Sequence, residues 1–359
     1  MSALETGLDP QRFDHRLLVG TVEPDEADYL ELRAPDVEAV RVPGLGRAVR
    51  PTDDLLAFRH VARAMKEFRP HIVHTHTAKA GVLGRIPAIT RRVPGRVHTF
   101  HGHLLHGYFS PAKTRAVVLV ERSLARRTTT LAVVGARVRD DLLAARIGRP
   151  EQYVVVPPGV PEPRVVARES ARDELRLPPE VPIVAFVARM TAVKRPERFA
   201  EMARLVSAAH PDVHFAIAGE GSLLGELREQ CAPLGDRVHF LGWQADVGVV
   251  YSAANVVALT SDNEGMPVSL IEAAMCERPA VTTDVGSAAE VIAHDETGFV
   301  TTLDAAAIAD AVGRLVDSPE LAAKMGDAAG ARARAQFSTT RLVADTEAIY
   351  EKIAAKLKL

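Results

Sequence analysis

A chain of 359 residues, 47% hydrophobic and 25% charged, holds enough for two cores at roughly 150 residues per domain, which excludes a single small module. Its only cysteines, Cys231 and Cys276, are too few for a disulfide framework, and no apolar run nears the ~20 residues of a membrane span. The formal net charge of −2 hides an asymmetry: 24 basic face 17 acidic residues through position 160 and 20 face 29 beyond it, so the halves carry +7 and −9.

Short β-rich runs alternate with helix-period segments throughout, predicting βαβ units and an α/β fold of two Rossmann-like, doubly wound parallel-sheet domains. Met1 to Asp28 lacks a basic stretch followed by an apolar one, so no secretory signal is expected and the default compartment is cytoplasmic. Strands are expected near His15–Val19, Ala39–Val42, Ile72–His76, Arg96–Phe100, Thr130–Val134 and Tyr153–Val156. Pro157-Pro158-Gly159 with Pro161 and Pro163 is a cluster of breakers that ends one sheet before the next begins. Further strands are expected near Ile183–Ala188, His214–Ala218, Val238–Leu241, Val256–Leu259, Ala280–Thr283 and Phe299–Val300. Ala171–Leu175 reads as a short helix before Pro178. Thr340–Lys358 reads as a long one, with Ile349, Ile353 and Leu357 at i, i+4 and i+8. The expected organisation is therefore a first domain over 1–160, a second over 161–338 and a terminal helix over 339–359.

Basic residues gather at Arg85, Arg91, Arg92 and Arg96 and again at Lys113, Arg115, Arg122, Arg126 and Arg127. Such a face could meet anionic lipid head groups if its members share one side; an ordinary solvated face is the other reading. Aromatic residues are not interleaved with these arginines, so nucleic acid is not an expected partner. Histidines crowd the same half, eight of them at 60, 71, 74, 76, 98, 101, 103 and 106. His74 and His76 share a strand face, as would His101 and His103 if extended. No carboxylate or cysteine stands among them at zinc spacing, and no metal site is expected.

The second half carries the sharper signal. Ser261-Asp262-Asn263-Glu264-Gly265-Met266-Pro267-Val268 is a loop that opens a helix, with Glu272 eight residues after Glu264. Pro267 suits the first helical turn, Gly265 admits a close ligand, and a helix start with outward amides attracts phosphate. The two carboxylates can accept hydrogen bonds from sugar hydroxyls. Arg189 and Lys194 follow an expected strand at the sheet edge where open α/β sheets bind ligands, and two cations there suit a diphosphate; a surface ion pair of Lys194 with Glu197 is the plain alternative. Gly219 and Gly221 form a Gly-x-Gly turn, by itself a weak signal. Trp243 after Gly242 suits either a nucleotide base or packing.

These segments resemble the signature of retaining family 4 glycosyltransferases of the GT-B fold. Ala188-Arg189-Met190 with Lys194, Ala218-Gly219-Glu220-Gly221, Phe240-Leu241-Gly242-Trp243, Thr99-Phe100-His101-Gly102 and Val156-Pro157-Pro158-Gly159-Val160 stand about where that family carries them. The resemblance implies two Rossmann-like domains facing a cleft, with the last helix returning to the first domain. It implies a hexose moved, with retention, from a nucleoside diphosphate sugar to a glycan or lipid-linked hydroxyl, with neither metal nor other cofactor. Glu272 then holds the ribose, Glu264 lies by the transferred sugar, and Gly265, Met266, Pro267 and Val268 cradle the diphosphate with Arg189 and Lys194. Gly219, Gly221, Gly242 and Trp243 lie near the base or diphosphate, and His101 approaches the anomeric centre. On the acceptor side the resemblance sets Lys79, Gly102 and His103, in segments similar to exopolysaccharide and capsule-type members, and it implies a place on the inner face of the membrane; His76, at a neighbouring strand end, suits either the acceptor cleft or an ordinary polar strand end.

Three departures bear on these expectations. Ser287 stands where a second glycine is frequent, Pro158 replaces the usual Asn, and Ser2 to Gly7 reads as the end of a first helix whose preceding strand and glycine loop are absent. Losing a central strand should leave unpaired edges in the first sheet. The rival readings are a nucleotide-sugar 2-epimerase and a non-catalytic sugar-nucleotide-binding protein. A glycosidase pair fits poorly because Glu264 and Glu272 bracket one helix start. A dehydrogenase is disfavoured because no Gly-x-Gly-x-x-Gly follows a strand.

Overall fold

Among the described residues twelve strands form, each within two residues of its expected bounds: β1 Leu17–Val19, β2 Ala39–Arg41, β3 Ile72–His76, β4 Gly95–Phe100, β5 Thr130–Val133, β6 Tyr153–Val155, β7 Ile183–Val187, β8 His214–Ala218, β9 Val238–Gly242, β10 Val256–Leu259, β11 Ala280–Thr283 and β12 Gly298–Thr301. The computed structural model describes residues 2–22, 30, 34–46, 48–102 and 110–358. It divides into two units: Met1–Gly159 with Thr339–Leu359, and Val160–Ser338.

In the first unit, β3-β4-β5-β6 make one parallel sheet and β1-β2 another. Among the described residues no strand joins β1 to β3. The sheet's two faces follow from the period of two. Val97 of β4 and Ala132 of β5 pack with Val156 against Ile349 and Ile353 of the terminal helix Thr339–Leu357. The opposite face carries helix Ala78–Thr90, against which helices Pro51–Phe68 and Pro111–Ala125 pack. Helix Pro51–Phe68 begins with Pro in its first turn followed by Asp53 and Asp54, which suit the positive helix end, and it exits through Arg69 in the left-handed conformation.

Helix Ala78–Thr90 lies so close to β3 and β4 that a Cβ on Gly81 would stand 2.5 Å from the His98 ring. Between it and Pro111–Ala125 runs a buried ion pair: Arg85 Nη2 donates to both Glu121 oxygens at 2.7 and 2.8 Å, and Arg85 Nε donates to Gly81 O at 2.9 Å. Arg85 therefore leaves the basic face on which the sequence set it. Arg96 and Arg122 are also partly committed inward, donating to the Arg127 and Val93 carbonyls and to Ala145 O respectively.

The second unit is one parallel sheet in the order β12-β11-β10-β7-β8-β9. Its helices are capped by their own sequence: Asp304 accepts from Ala306 N at 3.2 Å and Ser318 from Leu321 N at 3.3 Å. β7 pairs with β8 on one side and with β10 on the other, so chain order reverses between β7 and β10. At such a switch point two loops leave neighbouring strands in opposite directions and open a crevice. Here they are the turn from Ala188 to Lys194 and the loop from Thr260 to Pro267. Among the described residues no helix is long and apolar enough to cross a membrane.

Candidate functional site

The two switch-point loops are bound to each other before any ligand arrives. Thr260 Oγ1 donates to the carbonyls of Lys194 and Arg195 at 3.1 Å each, and Asp262 N to Val193 O at 2.9 Å. Arg198 donates to Thr260 O and to Asp262 Oδ1, both at 2.7 Å, and Arg195 reaches Asp262 Oδ2 at 3.2 Å. Inside this frame Lys194 Nζ meets Glu264 Oε1 at 2.5 Å, and Ser261 Oγ donates to the same oxygen at 2.6 Å. Ser261 is fully buried and its carbonyl accepts from Thr283 Oγ1 at 2.6 Å. Glu264 is thus aimed by the Ser261 hydroxyl and neutralised by Lys194 beside it. The alternative partner named for Lys194, Glu197, is taken by Arg195 at 2.6 Å.

The loop's backbone is equally constrained. Ser287 N donates to Gly265 O at 3.0 Å, and Gly286, at φ +48, lies so near that a Cβ there would fall 1.7 Å from Glu264 O. Gly286→Ala is expected to destabilise the second unit by about 2–4 kcal/mol, from left-handed strain plus forced backbone movement; urea unfolding of the variant checks this. Pro267 caps the helix Val268–Met275, one residue earlier than a first-turn position. That helix's first amides have no intrahelical acceptors. Glu272, on its second turn, accepts from the Tyr251 hydroxyl at 3.4 Å. Tyr251 is fully buried, and burial followed by the Glu272 charge pushes its pKa well up, so it stays a neutral donor.

Beside this pair the ends of β7, β8 and β9 press backbone against backbone. Gly219 N donates to Gly242 O at 2.7 Å, and a Cβ on Gly219, at φ +130, would lie 1.9 Å from Ala188 O. The glycines therefore close this wall. Above it Arg189 is exposed and makes no side-chain hydrogen bond or ion pair among the described residues.

In the first unit a separate cluster stands at the ends of β3 and β4. His74 bridges the Tyr350 hydroxyl and Thr99 Oγ1, both at 2.7 Å, and His76 Nδ1 shares a hydrogen bond with His101 Nε2 at 2.9 Å. A cavity of about 100 Å³ is lined by these three histidines with Thr99, Pro158 and Thr346, and His76 Nε2 is buried without a partner among the described residues. Burial lowers His74 to about 3 and holds His76 and His98 well below the usual imidazole range. His101 keeps part of its surface exposed, yet lost hydration lowers its ring to about 4. The cluster is neutral at pH 7 and can exchange hydrogen bonds with hydroxyls without adding charge. Among the described residues no group of three or more His, Cys, Asp or Glu is placed to hold a metal ion.

Residues 167–332 match the family description "Glycosyl transferases group 1", and residues 2–159 match "Glycosyl transferase 4-like domain". Together these cover both units. The chain belongs to the family 4 glycosyltransferases of the GT-B fold. Among its relatives is UDP-Gal:alpha-D-GlcNAc-diphosphoundecaprenol alpha-1,3-galactosyltransferase of Escherichia coli, 29% identical over 310 residues, covering 83% of this chain and 78% of that protein. D-inositol 3-phosphate glycosyltransferase of Mycolicibacterium gilvum is 31% identical over 298 residues, covering 74% and 66%. The crystal structure of Anabaena HepE in complex with UDP and glucose superposes with a TM-score of 0.80 at 21% identity, over 93% of this chain and 91% of that one.

In this GT-B glycosyltransferase Lys194 and Glu264 meet directly, with Gly265 to Val268 continuing into the helix and Met266 buried beneath. Trp243 is 52% exposed on the rim past β9. Lys79 is drawn to Asp54 Oδ1 and Ala48 O at 2.5 Å each. Gly102 ends the described stretch and His103 lies outside the described residues. Sequence reasoning included Ser261 and Asp262 in the loop without giving them a role, and it missed Thr283, Tyr251 and Arg198, which carry no periodic signature. It also passed over Tyr350, which only the return of the terminal helix brings to His74.

Proposed function

We propose that this chain is a retaining glycosyltransferase that moves a hexose from a nucleoside diphosphate sugar to a hydroxyl of a glycan or lipid-linked acceptor in cell-envelope polysaccharide or glycolipid synthesis. The observation that carries the reading is the convergence of Lys194, Glu264 and the Gly265–Pro267 helix start at the switch point of the second unit, with Arg189 open beside them. The sequence relatives named for galactosyl and inositol-phosphate glycosyl transfer support the same class of reaction.

In this reading the diphosphate lies against the helix-start amides, and Arg189 with Lys194 stabilises the charge that grows on its oxygen as the sugar bond breaks. Glu264, fixed by Ser261, accepts hydrogen bonds from the hexose hydroxyls; Glu272, fixed by Tyr251, accepts them from the ribose. His101 and His76 present neutral imidazoles to the sugar and acceptor. The leaving diphosphate oxygen assists the incoming hydroxyl on the same face, so neither a protein nucleophile nor a metal takes part, and the site works on the cytoplasmic side of the membrane.

The test incubates the protein with a panel of nucleoside diphosphate hexoses and lipid-linked or oligosaccharide acceptors, with and without a chelator. The expected product carries one added hexose in the donor's anomeric configuration, seen by mass and proton NMR. Glu272→Ala is expected to raise the donor KM at least tenfold. Free nucleotide with an epimerised sugar, or donor binding with neither transfer nor hydrolysis, overturns the reading.

A further inference from the structure

His101, set at the transferred sugar in the proposed reaction, is a partly exposed ring on the loop that leaves β4. Its one side-chain hydrogen bond among the described residues is to His76, whose Nδ1 lies 2.9 Å from His101 Nε2, with ring centroids 5.2 Å apart and planes at 30°. His76 in turn leans on His74, at 4.2 Å between centroids. His74 is fixed, because the Tyr350 hydroxyl holds one of its nitrogens and Thr99 Oγ1 the other. Three imidazoles therefore form a stack that is anchored on the terminal helix at one end, and His101 is its free end.

β3 stops abruptly after His76. Thr77 adopts φ 64 and ψ 162, a backbone region nearly confined to glycine, and such strain persists only where the surroundings over-determine the chain. The strand end that carries His76 is thus a fixed point. Burial keeps the His76 and His101 rings neutral at pH 7, so each carries one ring hydrogen and the bond between them takes a single hydrogen. Whichever way that bond runs, it decides which nitrogen of His101 bears hydrogen, and so whether the other, Nδ1, offers a donor or an acceptor.

We propose that His76 is a positioning residue, whose Nδ1 bond fixes the ring angle and the tautomer of His101 and which serves the sugar and acceptor through that ring. Without the bond the imidazole turns about χ2, a torsion with broad wells, and its hydrogen exchanges between the two nitrogens, so the required group is presented only part of the time. The effect on turnover rests on the transfer reaction proposed above; the effect on the ring does not.

Full-length protein carrying isotope-labelled histidine is compared by nitrogen NMR as wild type, His76→Asn, His76→Leu and His76→Gln. Asn keeps an amide at the Nδ1 position, Leu removes the polar group and Gln moves it to the Nε2 position, so two independent variants break the bond. His101 should hold one tautomer in the wild type and in His76→Asn, and an exchanging mixture in His76→Leu and His76→Gln, with circular dichroism unchanged. In turnover the two bond-breaking changes should lower kcat by about tenfold or more, at a donor KM within about twofold because in that reaction the nucleotide is held by the second unit. Added to His101→Ala, they should cost nothing further. A mixture in the wild type, the same single tautomer in both bond-breaking variants, or losses that add in full to those of His101→Ala would overturn the proposal. If no transfer is ever observed while the ring behaves as stated, His76 keeps its role on His101 and only the reaction falls.

Discussion

Lys194→Ala is expected to lower kcat/KM with the sugar donor by about a thousandfold, the upper range for removing one preorganised charge from a developing oxyanion. The same change leaves Glu264, whose side chain is 9% exposed, with only the Ser261 hydroxyl on its oxygen. Breaking a buried pair on one side costs about 3–5 kcal/mol; with Lys194 itself 18% exposed, water relieves part of this, and about 1–3 kcal/mol is the expected loss. The two effects separate in Lys194→Ala with Glu264→Gln. Neutralising the orphaned carboxylate should restore the urea midpoint while turnover stays lost. Recovery of turnover along with stability would mean that Lys194 serves only the frame.

The second large effect is on acid stability. His74 titrates near 6.5 when unfolded but at about 3 when folded. Below 6.5 the unfolded chain therefore takes up a proton that the folded chain refuses, and stability falls with pH until the folded pKa is reached. At pH 5 the loss from this one ring is about 2 kcal/mol. His76 and His98 act in the same direction. The first unit should thus open ahead of the second between pH 7 and 5, read by peptide-level hydrogen exchange, and His74→Gln should flatten the slope. Equal loss of protection in both units would remove the histidine cluster as the cause.

Every strand was legible because runs such as Ile183–Val187 and Val256–Leu259 are β-branched, apolar and bounded by breakers, signals that operate within a few residues. The site was legible in its parts and not in its assembly. Lys194 and Glu264 stand 70 residues apart, and they meet only because β10 takes its place beside β7, a matter of sheet order that no local pattern carries. Arg85 shows the opposite failure. Among arginines of equal appearance, one finds its carboxylate 36 residues later and goes inside, so a charge count along the chain misplaces it. Ser261 and Thr283 act through single hydroxyl bonds at 2.6 Å, and hydroxyl residues occur too widely for such roles to stand out.

The unit that begins the chain is also the unit that ends it: Ile349 and Ile353 complete the back of the sheet formed by β3 to β6, and Tyr350 closes over His74. On the ribosome the part translated first must therefore wait, with Val97 and Ala132 uncovered, until the last twenty or so residues emerge, whereas 160–338 can close as soon as it is out. A fragment cut after residue 159 should be a poor folder for the same reason, and a circularly permuted chain that opens with the terminal helix would let each half mature in turn.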